Sequence, residues 1–278
     1  MTGPAIPPTE RLPAVNHCIY CGADGVPLTD EHIIPRGLNG TILLPKSTCK
    51  GHQELTSGIE LALQKKGMFL HPRLLLGMRS YNKKRQPTHI KIEFIAADNR
   101  TFKKNVPVQE AASVLVMPMF LQSRVMTVDQ PLPQTNALEI QAIDSAPVGR
   151  EMRSFLQRHR AIGLRGRQTI DINSFLRYLC KIAYGSHFVT RGKIAREESP
   201  ALSLLLGDRQ DFGNWVGCVP LEEPMQLSTD WHQVSIADME TKTGVPCAVV
   251  RVSLFNFLVP CTYTVVTHCH DYRAMVTG

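Results

Sequence analysis

Residues 18–52 read CIYCGADGVPLTDEHIIPRGLNGTILLPKSTCKGH. Two residues separate Cys18 from Cys21, and two separate Cys49 from His52. Pairs at this spacing can chelate one zinc ion, because the short intervening loop lets backbone N–H groups point at the sulfurs; three thiolates and an imidazole then complete a tetrahedral structural site. Between the pairs an acidic residue stands directly before a histidine, in Glu31-His32-Ile33-Ile34-Pro35. Gly25 and Pro27 mark a turn, Leu28 to Pro35 is a short extended segment, Gly37 to Gly40 is a loop, and Thr41 to Leu44 reads as a second strand. From about Lys50 the pattern is helical, with Leu55, Ile59, Leu61, Ala62 and Leu63 on the apolar side, and Gly67 ends it. Strand, loop, strand, helix is too small a unit to build a self-sufficient core. Bound zinc would supply part of its folding free energy.

Over residues 16–66 the chain resembles the HNH endonucleases, the ββα-metal nuclease class, in their zinc-bearing branch. The matching features are the Cys18/Cys21 knuckle, Glu31-His32-Ile33-Ile34-Pro35, the glycine-bearing loop to Gly40, and Cys49 opening a helix. The resemblance implies structural zinc at Cys18, Cys21, Cys49 and His52. It implies that His32 is the general base that takes a proton from water, a task suited to an imidazole near neutral pH. It also implies that Glu31 holds one magnesium or manganese ion against the scissile phosphate of DNA, with RNA an open second substrate. Neighbouring residues on a strand point to opposite sides, so a local bend must bring Glu31 and His32 to one site. The chain departs from the pattern in two places. The motif's middle Asn falls at Leu44-Pro45, with Asn39 nearby in the glycine loop. Its last residue falls at His52, Gln53 or Glu54. His52 therefore serves either zinc, the preferred assignment, or the catalytic metal; in the first case Glu54 and Glu60 are the candidates to supply an oxygen, though Glu60 reads better as a solvent-facing helix residue.

The whole chain has 278 residues with 43% hydrophobic and 20% charged side chains, an ordinary globular composition. No apolar run approaches a membrane span, and MTGPAIPPTERLP lacks the pattern of a secretory signal, so a cytoplasmic protein is expected. The net charge of +7 is uneven: residues 1–60 carry −2, residues 61–110 carry +8, and residues 111–278 carry +1. Such localisation suits a polyanion, and Arg36, Lys65, Lys66, Arg73, Arg79, Lys83, Lys84 and Arg85 are the candidate phosphate contacts. The expected fold class is α+β: a disordered lead-in (1–15), a zinc-stabilised ββα-metal (HNH) module (16–67), a basic connector (68–105), and a larger α+β domain of unknown type (106–278). That last domain would serve targeting, control or homo-oligomer formation. Of its elements, Glu151–Ile162 and Ile172–Tyr184 read as helices, and Val234–Ile236, Ala248–Phe257 and Thr262–Val266 as strands. A second reading is a zinc-dependent module that grips nucleic acid without cutting it.

Overall fold

The computed structural model describes residues 5, 8–78, 86–129, 132–135, 138–166, 170–219 and 230–277. The Cys/His stretch folds as strand, loop, strand, helix. Strands β1 (Glu10–Arg11), β2 (Leu28–His32) and β3 (Ile42–Cys49) form one sheet in the order β1-β3-β2, with β1 parallel and β2 antiparallel to β3. The β2–β3 register slips between Thr29 and Glu31, where Lys46 on the facing strand takes positive φ. Helix α1 (Lys50–Leu61) leaves β3 directly and widens into a π-helical turn over Ala62–Lys66. A short α2 (Leu70–Leu75) follows.

The middle of the chain is mostly antiparallel. Strands β4 (His89–Ile95) and β5 (Thr101–Pro107) pair, β6 (Ala112–Phe120) follows, and two-residue β7 (Leu132–Pro133) precedes β8 (Ile140–Gly149), the partner of β6. Pro118 keeps β6 out of a helical conformation. Helix α3 (Met152–Arg158) is capped by the Glu151 carboxylate, and β9 (Gly163–Arg165) adds a third strand beside β4. Phe94, Phe155, Ile90, Ile92 and Val106 make a satellite core here.

Helix α4 (Ile172–Arg191) is the centre of the molecule. Asp171 caps it by accepting from the Ser174 N–H, and its buried face presents Phe175, Leu176, Leu179, Ile182 and Ala183 at helical spacing. After α5 (Pro200–Leu206) and α6 (Phe212–Trp215), strands β10 (Val216–Cys218), β11 (His232–Glu240), β12 (Pro246–Leu254) and β13 (Thr262–Cys269) form an antiparallel sheet in the order β10-β13-β12-β11. A final β14 (Val276–Thr277) pairs with β7. The fold is thus mixed α+β.

One hydrophobic core runs from Cys18 to Tyr272. Phe69 packs its ring 6.2 Å from Phe175 on α4 and 5.4 Å from Phe255 beyond β12. The Tyr184 hydroxyl on α4 donates to the Ile19 carbonyl at 2.8 Å, and His232 donates to the Leu38 carbonyl. Gly185 lets α4 approach the first unit closely, since a Cβ there would lie 2.9 Å from Ile33 Cδ1. The boundary expected at 67/68 lies among residues of this core, the one expected at 105/106 falls within β5 beside the satellite core, and the expected lead-in contributes β1. No helix among the described residues is long and apolar enough to cross a membrane.

Candidate functional site

Cys18 and Cys21 sit in the knuckle before β2, Cys49 ends β3, and His52 lies in the first turn of α1. Their ligand atoms all lie within 4.8 Å of one another. His52 Nδ1 is 3.1 Å from Cys49 Sγ and 3.6 Å from Cys18 Sγ, and Cys21 Sγ is 4.0 Å from Cys49 Sγ. A tetrahedral ion with bonds of about 2.0–2.3 Å separates its ligands by roughly this much, so the four side chains fit a metal such as zinc. The alternative that sends His52 to a second metal is not the arrangement seen. Cys49 also occupies the N-cap of α1, where no side-chain hydroxyl or carboxylate caps the helix. Burial opposes its thiolate, but the His52 and Gly51 N–H groups and the neighbouring thiols outweigh it, and its pKa falls. Burial pushes the Cys18 thiol up to about 11, so an ion must bring the charge that keeps it a ligand. Burial, with Arg196 adding to it, holds the His52 imidazole below its ordinary pKa, in the neutral form a ligand needs. Among the described residues this is the only such cluster; Cys261 and Cys269 are buried core thiols.

Further along α1 opens a cleft of about 1080 Å³. Glu31, His32, Arg36, Gln53, Thr56, Glu60, Lys65 and Arg73 contribute to its lining. Both members of the Glu31-His32 pair reach it, in the segment that follows the register slip in β2. His32 is half-buried. Burial lowers its pKa, the Lys181 ammonium adds to that, and Glu31 opposes it. That direction favours the neutral imidazole a general base needs.

Glu31 is not the open metal ligand expected of it. It is 7% exposed, and both carboxylate oxygens are engaged. Oε1 pairs with Lys181 Nζ at 2.7 Å, while Oε2 accepts from Thr48 Oγ1 at 3.3 Å and Thr56 Oγ1 at 3.5 Å. Glu60, expected to face solvent, instead accepts from Lys181 Nζ at 2.9 Å through Oε1. The Lys181 ammonium donates its third hydrogen bond to the His32 carbonyl at 2.6 Å. Glu54 is exposed and lies 4.0 Å from Lys50. Asn39 is buried and lines a separate, smaller cavity with Trp231 and His232, away from the cleft.

The expected phosphate contacts divide. Arg36 and Lys65 are exposed at the cleft, and Lys66 is exposed beside them. Arg73 lines the cleft but is tied to the fold: its Nε donates to the Gly37 carbonyl at 2.6 Å and Nη1 to the Gln64 carbonyl at 3.1 Å. Its guanidinium clamps the glycine loop to the π-helical turn that follows α1, which corrects its expected role as a free surface cation. Arg79, Lys83, Lys84 and Arg85 lie outside the described residues.

Sequence reasoning missed Lys181. The signal was a single lysine inside the apolar run Leu179-Cys180-Lys181-Ile182-Ala183, for a lysine this deep in a helix face must find carboxylates. Compared with known protein families, curated proteins and solved structures, the chain matches none.

Proposed function

We propose that the protein is an HNH-type endonuclease that hydrolyses phosphodiester bonds in DNA with His32 as general base. The observation that carries this reading is the half-buried imidazole of His32, its pKa held below the ordinary value by burial, opening on a wide cleft with Arg36 and Lys65 at its surface. The Cys18/Cys21/Cys49/His52 cluster holds structural zinc and fastens the knuckle and the end of β3 to the first turn of α1, and β2 pairs along that strand, which keeps His32 in place. His32 takes a proton from water, the resulting hydroxide attacks phosphorus, and the bond to the leaving oxygen breaks with a proton supplied by solvent. Arg36 and Lys65 hold the non-bridging oxygens, orienting the backbone without reading sequence. The residues do not fit the magnesium or manganese ion expected at Glu31, because both oxygens of that carboxylate already have partners.

The same engagement of Glu31 favours a second reading, a zinc-fastened module that binds nucleic acid through its surface cations and leaves it intact. Supercoiled plasmid separates the two. For the nuclease, wild type nicks the plasmid, and His32→Ala, with unchanged circular dichroism and zinc content, loses at least about a hundredfold in rate. Activity climbs with pH through the lowered pKa of His32 and levels off above it, because the base must be neutral. A gel shift with no nicking, on plasmid and on a labelled RNA alike, would establish the binding module instead.

A further inference from the structure

A buried cation stands behind two of the carboxylates that line the cleft. Lys181 Nζ sits among three oxygens, Glu31 Oε1 at 2.7 Å, Glu60 Oε1 at 2.9 Å and the His32 carbonyl at 2.6 Å. An ammonium has three donors, and all three are used. The oxygens come from β2 and α1, whereas the cation comes from α4, 149 residues beyond His32. The Lys181 side chain is 2% exposed, and its helix is held by the central core, so the ammonium has no solvent-facing position to retire to. Glu31 and Glu60 face the cleft from in front of it.

We propose that the Lys181 ammonium takes the seat between Glu31 and Glu60 that a divalent cation would otherwise fill, so that the site is charged and positioned without a second metal. Two consequences follow from the geometry. The two carboxylates are neutralised in part, so an anionic backbone can approach His32. The His32 main chain is also pinned through its carbonyl, which makes Lys181 a positioning residue rather than one that touches substrate. A magnesium ion demands six oxygens at about 2.0–2.1 Å. It cannot enter this seat while the ammonium occupies it.

The inference rests on the nuclease reading only in its activity arm. Zinc-loaded full-length protein, freed of other metals, is titrated with Mn²⁺, with free Mn²⁺ followed by its electron paramagnetic resonance signal. Mn²⁺ binds such ligands more weakly than zinc and leaves the cysteine cluster loaded. Wild type is expected to take up none. Lys181→Ala is expected to bind one Mn²⁺ per chain and to lose it when Glu60→Gln is added. At Mn²⁺ about a hundredfold above its Kd, the thermal midpoint of Lys181→Ala should rise by about 5 °C while that of wild type stays put. Uptake of one Mn²⁺ by wild type that disappears in Glu60→Gln overturns the proposal, and this arm decides the matter even if Lys181→Ala does not fold. A folded Lys181→Ala with no Mn²⁺ uptake overturns it too. In the activity arm, His32-dependent nicking is expected in buffer without magnesium or manganese. Nicking that requires either ion sinks the lysine seat and keeps the nuclease. No nicking under any condition sinks the nuclease, and the Mn²⁺ titration still judges the seat.

Discussion

Lys181 concentrates the electrostatics of the molecule in one atom. Burying an ammonium is expensive, and Glu31 and Glu60 offset it: burial lowers its pKa, but the two carboxylates outweigh that and hold the side chain above its ordinary value. Removing one member leaves buried charge unpaired. Lys181→Met should therefore destabilise the protein by about 3–5 kcal/mol, read from urea unfolding of zinc-loaded protein. Replacing all three at once, Glu31→Gln and Glu60→Gln with Lys181→Met, should restore much of that loss, since no charge is then stranded. If Lys181→Met unfolds at the same urea concentration as wild type, the three-way pairing contributes nothing to stability.

At the scale of elements, two devices shape the β2–β3–α1 unit. One is the Cys/His cluster, which ties the knuckle, the end of β3 and the first turn of α1 to one point. Cys49→Ser should lower the zinc content below one per chain and drop the thermal midpoint by roughly 5–10 °C, measured by metal analysis and calorimetry. Acid should act in the same direction, because thiolate and neutral imidazole must both take up protons to release the ion. The other device is the turn after Pro35. Gly40 passes so near the chain that a Cβ would lie 1.7 Å from the Ile34 carbonyl oxygen. Gly40→Ala should cost about 3 kcal/mol or more, because backbone rather than a movable side chain stands in the way. Its zinc content should remain at one per chain, which separates this loop effect from loss of the metal.

For the whole molecule, the packing predicts cooperative unfolding. Leu38, Leu63, Met68 and Phe69 are buried in the core shared with α4 and β12. A fragment ending at residue 105 should therefore lack near-ultraviolet dichroism even with zinc, whereas the full chain shows it. Native-like dichroism in the fragment would mean that the first unit folds independently of α4. The long-range contacts also make the fold acid-sensitive. His232 donates from Nε2 to the Leu38 carbonyl and accepts at Nδ1 from the Phe255 N–H at 3.2 Å, a pattern only the neutral ring can satisfy. His187 is buried against Thr267 Oγ1 at 2.8 Å. Burial, in His187 aided by Arg191 and His268, lowers both from 6.5 to about 4. Between those values the unfolded chain binds protons that the folded chain refuses, so stability is full above pH 6.5 and falls as pH drops through the window. Urea midpoints measured from pH 7 to 4 should decline, and His232→Gln with His187→Gln should flatten that decline.

The residues from Cys18 to His52 carried their own local structure. Ligand spacing, Pro35, the glycine loop and the apolar period of α1 are short-range features, and the order strand, loop, strand, helix was legible from them. So were the Cys/His cluster and the 172–184 helix, which the structure extends to Arg191. What completes the cleft was not legible, because it depends on contacts across more than a hundred residues. Nothing near Glu31 in sequence indicates that α4 will deliver an ammonium to it, or that Glu60 will turn inward to share that charge. The clamp of Arg73 on Gly37 was hidden for the same reason: a basic residue reads as solvated until the fold supplies carbonyls for it. Local periodicity and metal-ligand spacing act within a few turns of chain, and they determined the elements. Burial forces each charge to find a partner wherever the packing places one, and that only the tertiary structure decided.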